Sequence, residues 1–95
     1  MAAYVIVEVD VKDPQLFAKY AKGVPATIAA YGGKYLARGG KTETREGGWA
    51  PKRMVVLEFP SMEQARKWYD SREYKPLLDL RLKAADAKLI LVEGV

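Results

Sequence analysis

The sequence predicts an α+β domain of the ferredoxin-like type, with a four-stranded antiparallel sheet that carries its helices on one face. Two observations indicate this fold. Segments rich in β-branched residues alternate with segments of helical spacing in the order strand, helix, strand, strand, helix, strand (βαββαβ). Right-handed crossovers then bring the helices of such a chain to the same side of the sheet.

The first strand is predicted over residues 3–11, where valines occupy every second position and form an apolar face. Asp13 is suited to cap the following helix, and Pro14 to begin it, because the first helical residue needs no amide hydrogen bond. Pro25 interrupts the helical pattern, so we expect a kink or a new helical start near Gly23. The apolar stripe of this helix comprises Phe17, Tyr20, Ala21, Val24, Ile28 and Tyr31.

A long hairpin is expected next. Its first strand runs from Lys34 to about Glu46 with a bulge at Gly39-Gly40, and Gly47-Gly48 is a tight-turn signal. The returning strand is predicted from Lys52 to Phe59. Its two faces carry Val55, Leu57 and Phe59 on one side, and Met54, Val56 and Glu58 on the other.

The C-terminal part of the chain predicts helix, break, helix and strand. Ser61 and Gln64 form a capping-box pattern at the start of a helix. Pro76 suits the start of a further helix, and the last strand is expected from Ala87 to Glu93. The buried stripe of the first of these helices comprises Met62, Ala65, Trp68 and Tyr69.

The second face of the sheet is too apolar to be exposed to solvent. It carries Tyr4, Ile6, Met54 and Val56, together with either Ile90 and Val92 or Leu89 and Leu91. A solvated face is polar at alternate positions, which is not the case here. We therefore expect the same face of a second copy to cover it, giving a homodimer.

Composition narrows the chemistry of the chain. Its 95 residues fit one domain, residues 1–95, and 49 % hydrophobic and 29 % charged residues are ordinary for a globular protein. The chain has no histidine and no cysteine, which excludes an imidazole base, a thiolate nucleophile, a haem ligand and a nitrogen or sulfur zinc site. We expect no cofactor, no metal, no membrane span and a cytoplasmic location.

Three stretches of the sequence are similar to one known family. They are D-P-x-x-F-x-x-Y-x-x-x-V-P-A-T-I-A-A-Y-G-G-K-Y-L-A-R-G-G (residues 13–40), V-V-L-E-F-P-S (residues 55–61) and W-Y-D-S-x-E-Y (residues 68–74). They resemble an uncharacterised bacterial family, domain-of-unknown-function family 1330, over essentially the whole chain. The resemblance implies the dimeric α/β-barrel superfamily, in which two ferredoxin-like sheets face each other around a cleft. It implies no activity, because the family is uncharacterised. Relatives on the same scaffold include cofactor-independent monooxygenases, muconolactone-isomerase-like enzymes and haem peroxidases, and the haem peroxidases need an axial histidine, which this chain lacks.

The same βαββαβ order builds RNA-recognition domains, which stack bases on aromatic residues of the third strand. The aligned octet here is K-R-M-V-V-L-E-F (residues 52–59), in which both inner stacking positions are aliphatic. Tyr4 alone does not make such a site. We expect no nucleic-acid binding.

Glu58 is the candidate catalytic residue, because it interrupts an apolar strand on the face assigned to the dimer cleft, where burial would raise its pKa. Arg38 is its natural counter-charge, or that of an anionic ligand. A strict turn would put Arg38 opposite Leu57 on the helix side. A bulge at Gly39-Gly40 or near Pro51 would move it, and Tyr35 with it, to the Glu58 side, and we expect the bulge because burying the arginine would be costly.

Aromatic side chains complete the set of candidate ligand-binding residues. Trp68 is explained by core packing, whereas the phenols of Tyr69 and Tyr74 suit a cleft mouth. Tyr4 and Tyr35 are further candidates. Two hypotheses follow: a cofactor-independent enzyme, monooxygenase- or isomerase-like, that acts on a small organic or anionic ligand in the dimer cleft, or a non-catalytic small-molecule-binding or structural dimer.

Overall fold

A computed structural model describes all of residues 1–95 and confirms the ferredoxin-like arrangement. The elements are β1 (Ala3–Val11), α1 (Pro14–Ala30), β2 (Lys34–Arg38), β3 (Met54–Phe59), α2 (Met62–Tyr69), α3 (Lys75–Ala84) and β4 (Ala85–Glu93). The four strands form one antiparallel sheet in the order β2-β3-β1-β4. All three helices pack on one face of it, which we call the inner face.

The helix starts follow the predicted caps. The Asp13 carboxylate accepts a hydrogen bond from the Leu16 amide at 3.2 Å, and Pro14 is the first residue of α1. Pro25 lies inside α1, which is one continuous helix, so the expected new start near Gly23 does not occur. Ser61 caps α2 as predicted by accepting from the Gln64 amide at 3.1 Å.

The core lies between the inner face and the helices. Alternate β1 residues are buried there, as the spacing of valines predicts, and they meet buried residues of β3. The largest fully buried side chains are Trp68, Tyr74, Phe59 and Val5. Trp68 is therefore a core residue, as expected.

The β2–β3 connection differs from the predicted long hairpin. β2 ends at Arg38, and residues 39–53 contain neither helix nor strand. The bulge lies at Leu36, where the register shifts between Tyr35 and Ala37, and not at Gly39-Gly40 or near Pro51. Gly39 has a φ of +67° and ends the strand, and the polar residues that follow it have no apolar face to bury.

The opposite side of the sheet, the outer face, is covered by no element of the chain. Register places Ile90 opposite Ile6 and Val92 opposite Tyr4, which selects Ile90 and Val92 over Leu89 and Leu91 as its β4 residues. Ile90 is 59 % and Val92 42 % exposed. None of the three helices combines the length and apolar character that crossing a membrane requires.

Candidate functional site

The candidate site is a cavity between the helices and the inner face. Fifteen residues line it, twelve of them hydrophobic, and its free volume is about 40 Å³. Its charged lining residues are Arg38, Arg53 and Arg81, and no aspartate or glutamate is among the fifteen. Its aromatic lining residues are Phe17, Tyr20, Tyr35 and Trp68. The cavity is therefore apolar and positively charged.

Arg81 is the buried charge of this cavity. It lies on α3 and only 4 % of its surface is exposed, yet no carboxylate lies within salt-bridge distance of it. Its Nε and Nη1 atoms are buried and have no hydrogen-bond partner. Arg81 also borders a more open cavity of about 420 Å³ that contains Asp70, but no ion pair joins the two.

The other two arginines come from the β2–β3 side of the cavity. The Nε atom of Arg53 is buried without a hydrogen-bond partner, and its Cζ lies 5.7 Å from the centroid of the Phe17 ring. Arg38 is exposed and its Cζ lies 4.7 Å from the centroid of the Tyr35 ring. Every buried side-chain nitrogen or oxygen that lacks a partner in this protein thus belongs to an arginine of this cavity.

A pair of tyrosines joins the cavity wall to the core behind it. The hydroxyls of Tyr20, which lines the cavity, and Tyr74, which is fully buried, lie 2.9 Å apart. Burial raises the pKa of Tyr20, and its interaction with Tyr74 raises that pKa further. Burial also raises the pKa of Tyr74, whereas the charge of Arg81 and hydrogen bonding to the Tyr20 and Arg81 side chains lower it. Both phenols therefore stay protonated at neutral pH and act as hydrogen-bonding groups.

The expectation that Arg38 faces Glu58 is wrong. Arg38 pairs with Val55, and both line the cavity on the inner face. Tyr35 pairs with Leu57 on the same side. The cost assumed for a buried arginine does not arise, because Arg38 is the last residue of an edge strand and its guanidinium is exposed against the Tyr35 ring.

Glu58 lies on the outer face, away from the cavity. Its partner is Lys34, whose Nζ is 3.2 Å from the carboxylate oxygen Oε1. Tyr4 lies opposite Glu58 in the β1–β3 register and shares the outer face. The structure therefore separates the predicted site into two groups, with Arg38 and Tyr35 on one side of the sheet and Glu58 and Tyr4 on the other.

The remaining two tyrosines do not lie at one cleft mouth. Tyr74 is fully buried, so the prediction that its phenol sits at a mouth is wrong. Its ring packs against Trp68, with the ring centroids 4.3 Å apart, which withdraws it into the core. Tyr69 is half-buried and borders the second cavity.

Sequence reasoning missed Arg81, although a signal was present. Leu77, Leu78, Arg81 and Ala84 follow helical spacing, so the arginine stands within the apolar stripe of α3. A charged residue within an apolar stripe is expected to be buried with its neighbours, which indicates a candidate functional group. Arg53 had a weaker signal: it precedes β3 directly and alternates with the inward-facing Val55 and Leu57.

Solved structures similar to this chain share its fold at low sequence identity. A protein of unknown function from Rhodopseudomonas palustris is 16 % identical with a TM-score of 0.76, and the match covers 99 % of this chain and 82 % of that one. SnoaB from Streptomyces nogalater, described as a cofactor-independent oxygenase, is 13 % identical with a TM-score of 0.66 over 99 % and 93 % of the two chains. A dimeric ferredoxin-like protein of unknown function from Jannaschia sp. is 6 % identical with a TM-score of 0.73 over 99 % and 100 %.

No curated protein matches the sequence. A family model does match, and it covers residues 2–95, which is nearly the whole chain. The match agrees with the motifs of α1, β3 and α2 that indicated the family. This chain belongs to the family described as Domain of unknown function (DUF1330).

Proposed function

We propose that this protein binds a small organic anion in the cavity between the helices and the inner face, with Arg81 as the buried counter-charge. One observation carries the proposal. The Arg81 guanidinium is almost completely buried, borders the cavity, and has two nitrogen atoms without partners in a lining that contains no carboxylate.

The physical argument is the cost of a buried charge that has no opposite charge beside it. Arginine does not escape that cost by losing its proton, because its pKa is above about 12. A buried charge is normally paired and hydrogen-bonded, and removing its partner costs several kcal/mol. A bound carboxylate would supply both the opposite charge and the acceptors that Nε and Nη1 lack.

The cavity also restricts the rest of the ligand. Its walls are mostly aliphatic and aromatic, which favours a compact apolar body attached to the acidic group. A free volume of about 40 Å³ holds two or three water molecules, so side chains at the mouth must move to admit an organic ligand. Arg38 is exposed and lies at the end of β2, which makes it suited to such a movement.

Binding without catalysis is the favoured role, because the cavity lining contains no carboxylate or imidazole that could serve as a general base. Cofactor-independent catalysis on the bound anion is the second candidate. It is supported by the fold shared with SnoaB, a cofactor-independent oxygenase.

We further infer that the protein is a homodimer in which two outer faces meet. The exposed apolar residues of that face support this pairing, as do similar structures described as dimeric. At the centre of this face, Ile6 lies between its register partners Val56 and Ile90. A standard interface of roughly 1,600 Å² in total would cover it.

Calorimetric titration with benzoate tests the proposed ligand class, with benzamide as a neutral probe of nearly the same shape. Benzoate should bind and benzamide should not. Arg81→Met should weaken benzoate binding at least about tenfold, since a charge-assisted pair is lost. Lys83→Met removes an exposed charge from the same helix and should leave binding unchanged. Equal binding of benzoate by the wild type and by Arg81→Met would refute the proposal.

A further inference from the structure

We propose that the ligand of this cavity carries two acidic groups joined by an apolar segment, one group on Arg81 and the other on Arg53 and Arg38 at the β2–β3 end. This inference rests on the proposed function, because it names the class of anion that the site binds. It starts from the fact that unpartnered buried nitrogens occur on two different arginines, Arg81 and Arg53.

Strand register places Arg38 at one end of a row of cavity-lining residues that crosses the whole sheet. Arg38, Val55, Val7 and Leu89 are successive neighbours across the four strands, and all four line the cavity. The backbones of this row span three strand spacings, or about 14 Å. Arg81 belongs to α3, which contacts β4, and it borders the second cavity together with Leu89. Arg38 lies at the other end of this row from Leu89.

Arg53 lies on the same side as Arg38. Its backbone carbonyl accepts a hydrogen bond of 2.9 Å from the Val9 amide, so it extends β3 beyond Met54 on the β1 side. The Gly39 backbone approaches its guanidinium so closely that a Cβ at Gly39 would collide with it. Arg53 and Arg38 are therefore held at one end of the cavity, where Gly39 follows Arg38 directly.

Neither Arg38 nor Arg53 is paired with a carboxylate of the protein itself. No salt bridge involves Arg38 or Arg53. Their contacts with the rings of Tyr35 and Phe17 use the faces of the guanidinium groups and leave N–H donors in the guanidinium planes free. Planar guanidinium groups of this kind suit bidentate binding of a carboxylate.

Between the two ends the lining is apolar. Val7, Val55 and Leu57 form the floor on the sheet, and Val24 and Ile28 of α1 lie above it. A polar segment placed there would lose its hydrogen bonds to water without replacement. The part of the ligand that joins its two acidic groups should therefore be hydrocarbon, which makes an aliphatic or aromatic dicarboxylate the matching class.

A length series of unbranched acids tests this class by calorimetry. The dicarboxylates are succinate, adipate and suberate, and each is compared with the monocarboxylate of equal chain length: butyrate, hexanoate and octanoate. At least one dicarboxylate should bind about tenfold or more tightly than its monocarboxylate. Arg53→Gln should weaken dicarboxylate binding and remove this difference, whereas Arg81→Met should weaken both members of the pair. Lys41→Gln, in the connection after β2, is the matched control and should change neither.

The outcomes separate this inference from the proposed function. If every monocarboxylate binds as tightly as its dicarboxylate and depends on Arg81, the two-group inference is wrong and the anion site stands. If a dicarboxylate advantage survives Arg53→Gln and also Arg38→Gln, the assignment of the second group is wrong. If neither benzoate nor any of the six acids binds, both proposals are overturned.

Discussion

The indole Nε1 of Trp68 donates a hydrogen bond of 3.0 Å to the Thr27 hydroxyl oxygen, and that hydroxyl donates in turn to the Val24 carbonyl at 2.7 Å. Both side chains are buried. The first bond joins α2 to α1 above the inner face, and the second lies within α1. The indole N–H, the one polar group of the largest core side chain, is thereby satisfied.

Replacing Thr27 with valine should therefore destabilise the protein. The indole N–H of Trp68 would stay buried without an acceptor, and we expect the free energy of unfolding to fall by about 1–3 kcal/mol. Urea unfolding followed by fluorescence measures this change. It is best done in a Trp49→Phe background, because Trp49 is exposed and would add a second signal. Thr27→Ser keeps the acceptor and should cost less, so equal losses for the two variants would show that the bond contributes little.

Arg81→Met should raise the stability of the ligand-free protein. Methionine fills a similar space and removes the desolvation penalty of an unpaired buried charge, so we expect a gain of roughly 1–2 kcal/mol. For a domain of this size each kcal/mol corresponds to an increase in Tm of about 4–8 °C. Calorimetry of Arg81→Met beside Lys83→Met, an exposed charge on the same helix, measures the effect. A marked decrease in Tm for Arg81→Met alone would show that the guanidinium is satisfied internally.

Glu58→Gln should have a small effect on the folded chain. The ion pair of Glu58 with Lys34 lies at the surface, with side-chain exposures of 25 % and 69 %, and exposed pairs contribute less than about 1 kcal/mol. Benzoate affinity should be unchanged, because Glu58 lies on the opposite side of the sheet from the cavity. Lys34→Gln should match it in urea unfolding. A large loss of benzoate binding in Glu58→Gln would indicate that the ligand-binding site lies on the outer face.

Ile6→Lys should convert the proposed homodimer to a monomer. Ile6 lies at the centre of the outer face, between Val56 and Ile90, and a charge there would have to be buried in the interface. Sedimentation equilibrium at micromolar concentration distinguishes the two states. Leu82→Glu introduces a charge at an exposed apolar residue of α3 and should leave the dimer intact. A wild-type monomer under the same conditions would contradict the dimer itself.

Stability should fall as pH rises above about 10. Tyrosines of the unfolded chain ionise near that pH, whereas the raised pKa values of Tyr20 and Tyr74 keep them protonated in the folded protein. The unfolded state then binds fewer protons than the folded state, so the free energy of unfolding decreases with pH. Tyr20→Phe combined with Tyr74→Phe should reduce this slope, by up to about 1.4 kcal/mol per pH unit for each tyrosine. Urea titrations between about pH 8 and about pH 11 compare the slopes, and identical slopes would contradict the prediction.

Local signals in the sequence were sufficient for most of the fold. The alternating valines of β1 and the caps at Asp13 and Ser61 each involve residues only a few positions apart in the sequence. They can therefore be identified without the tertiary structure. The β2–β3 hairpin could not be predicted in this way. Its register depends on a bulge at Leu36, and Gly39 ends the strand well before the Gly-Gly turn signal at residues 47–48.

By itself the sequence determined the ferredoxin-like order, the family and the two-sided apolar character of the sheet, because each follows from spacing or motif along the chain. Only the tertiary structure decided the site. It placed Arg38 on the inner face rather than beside Glu58, because one bulge reverses the side to which every later residue of a strand points. It also brought Arg81 of α3 to the cavity that Arg53 lines from just before β3, although the two arginines are far apart in the sequence. Whether such charges meet a carboxylate or remain unpaired depends on the packing of α3 against the sheet, and spacing along the chain does not specify that packing.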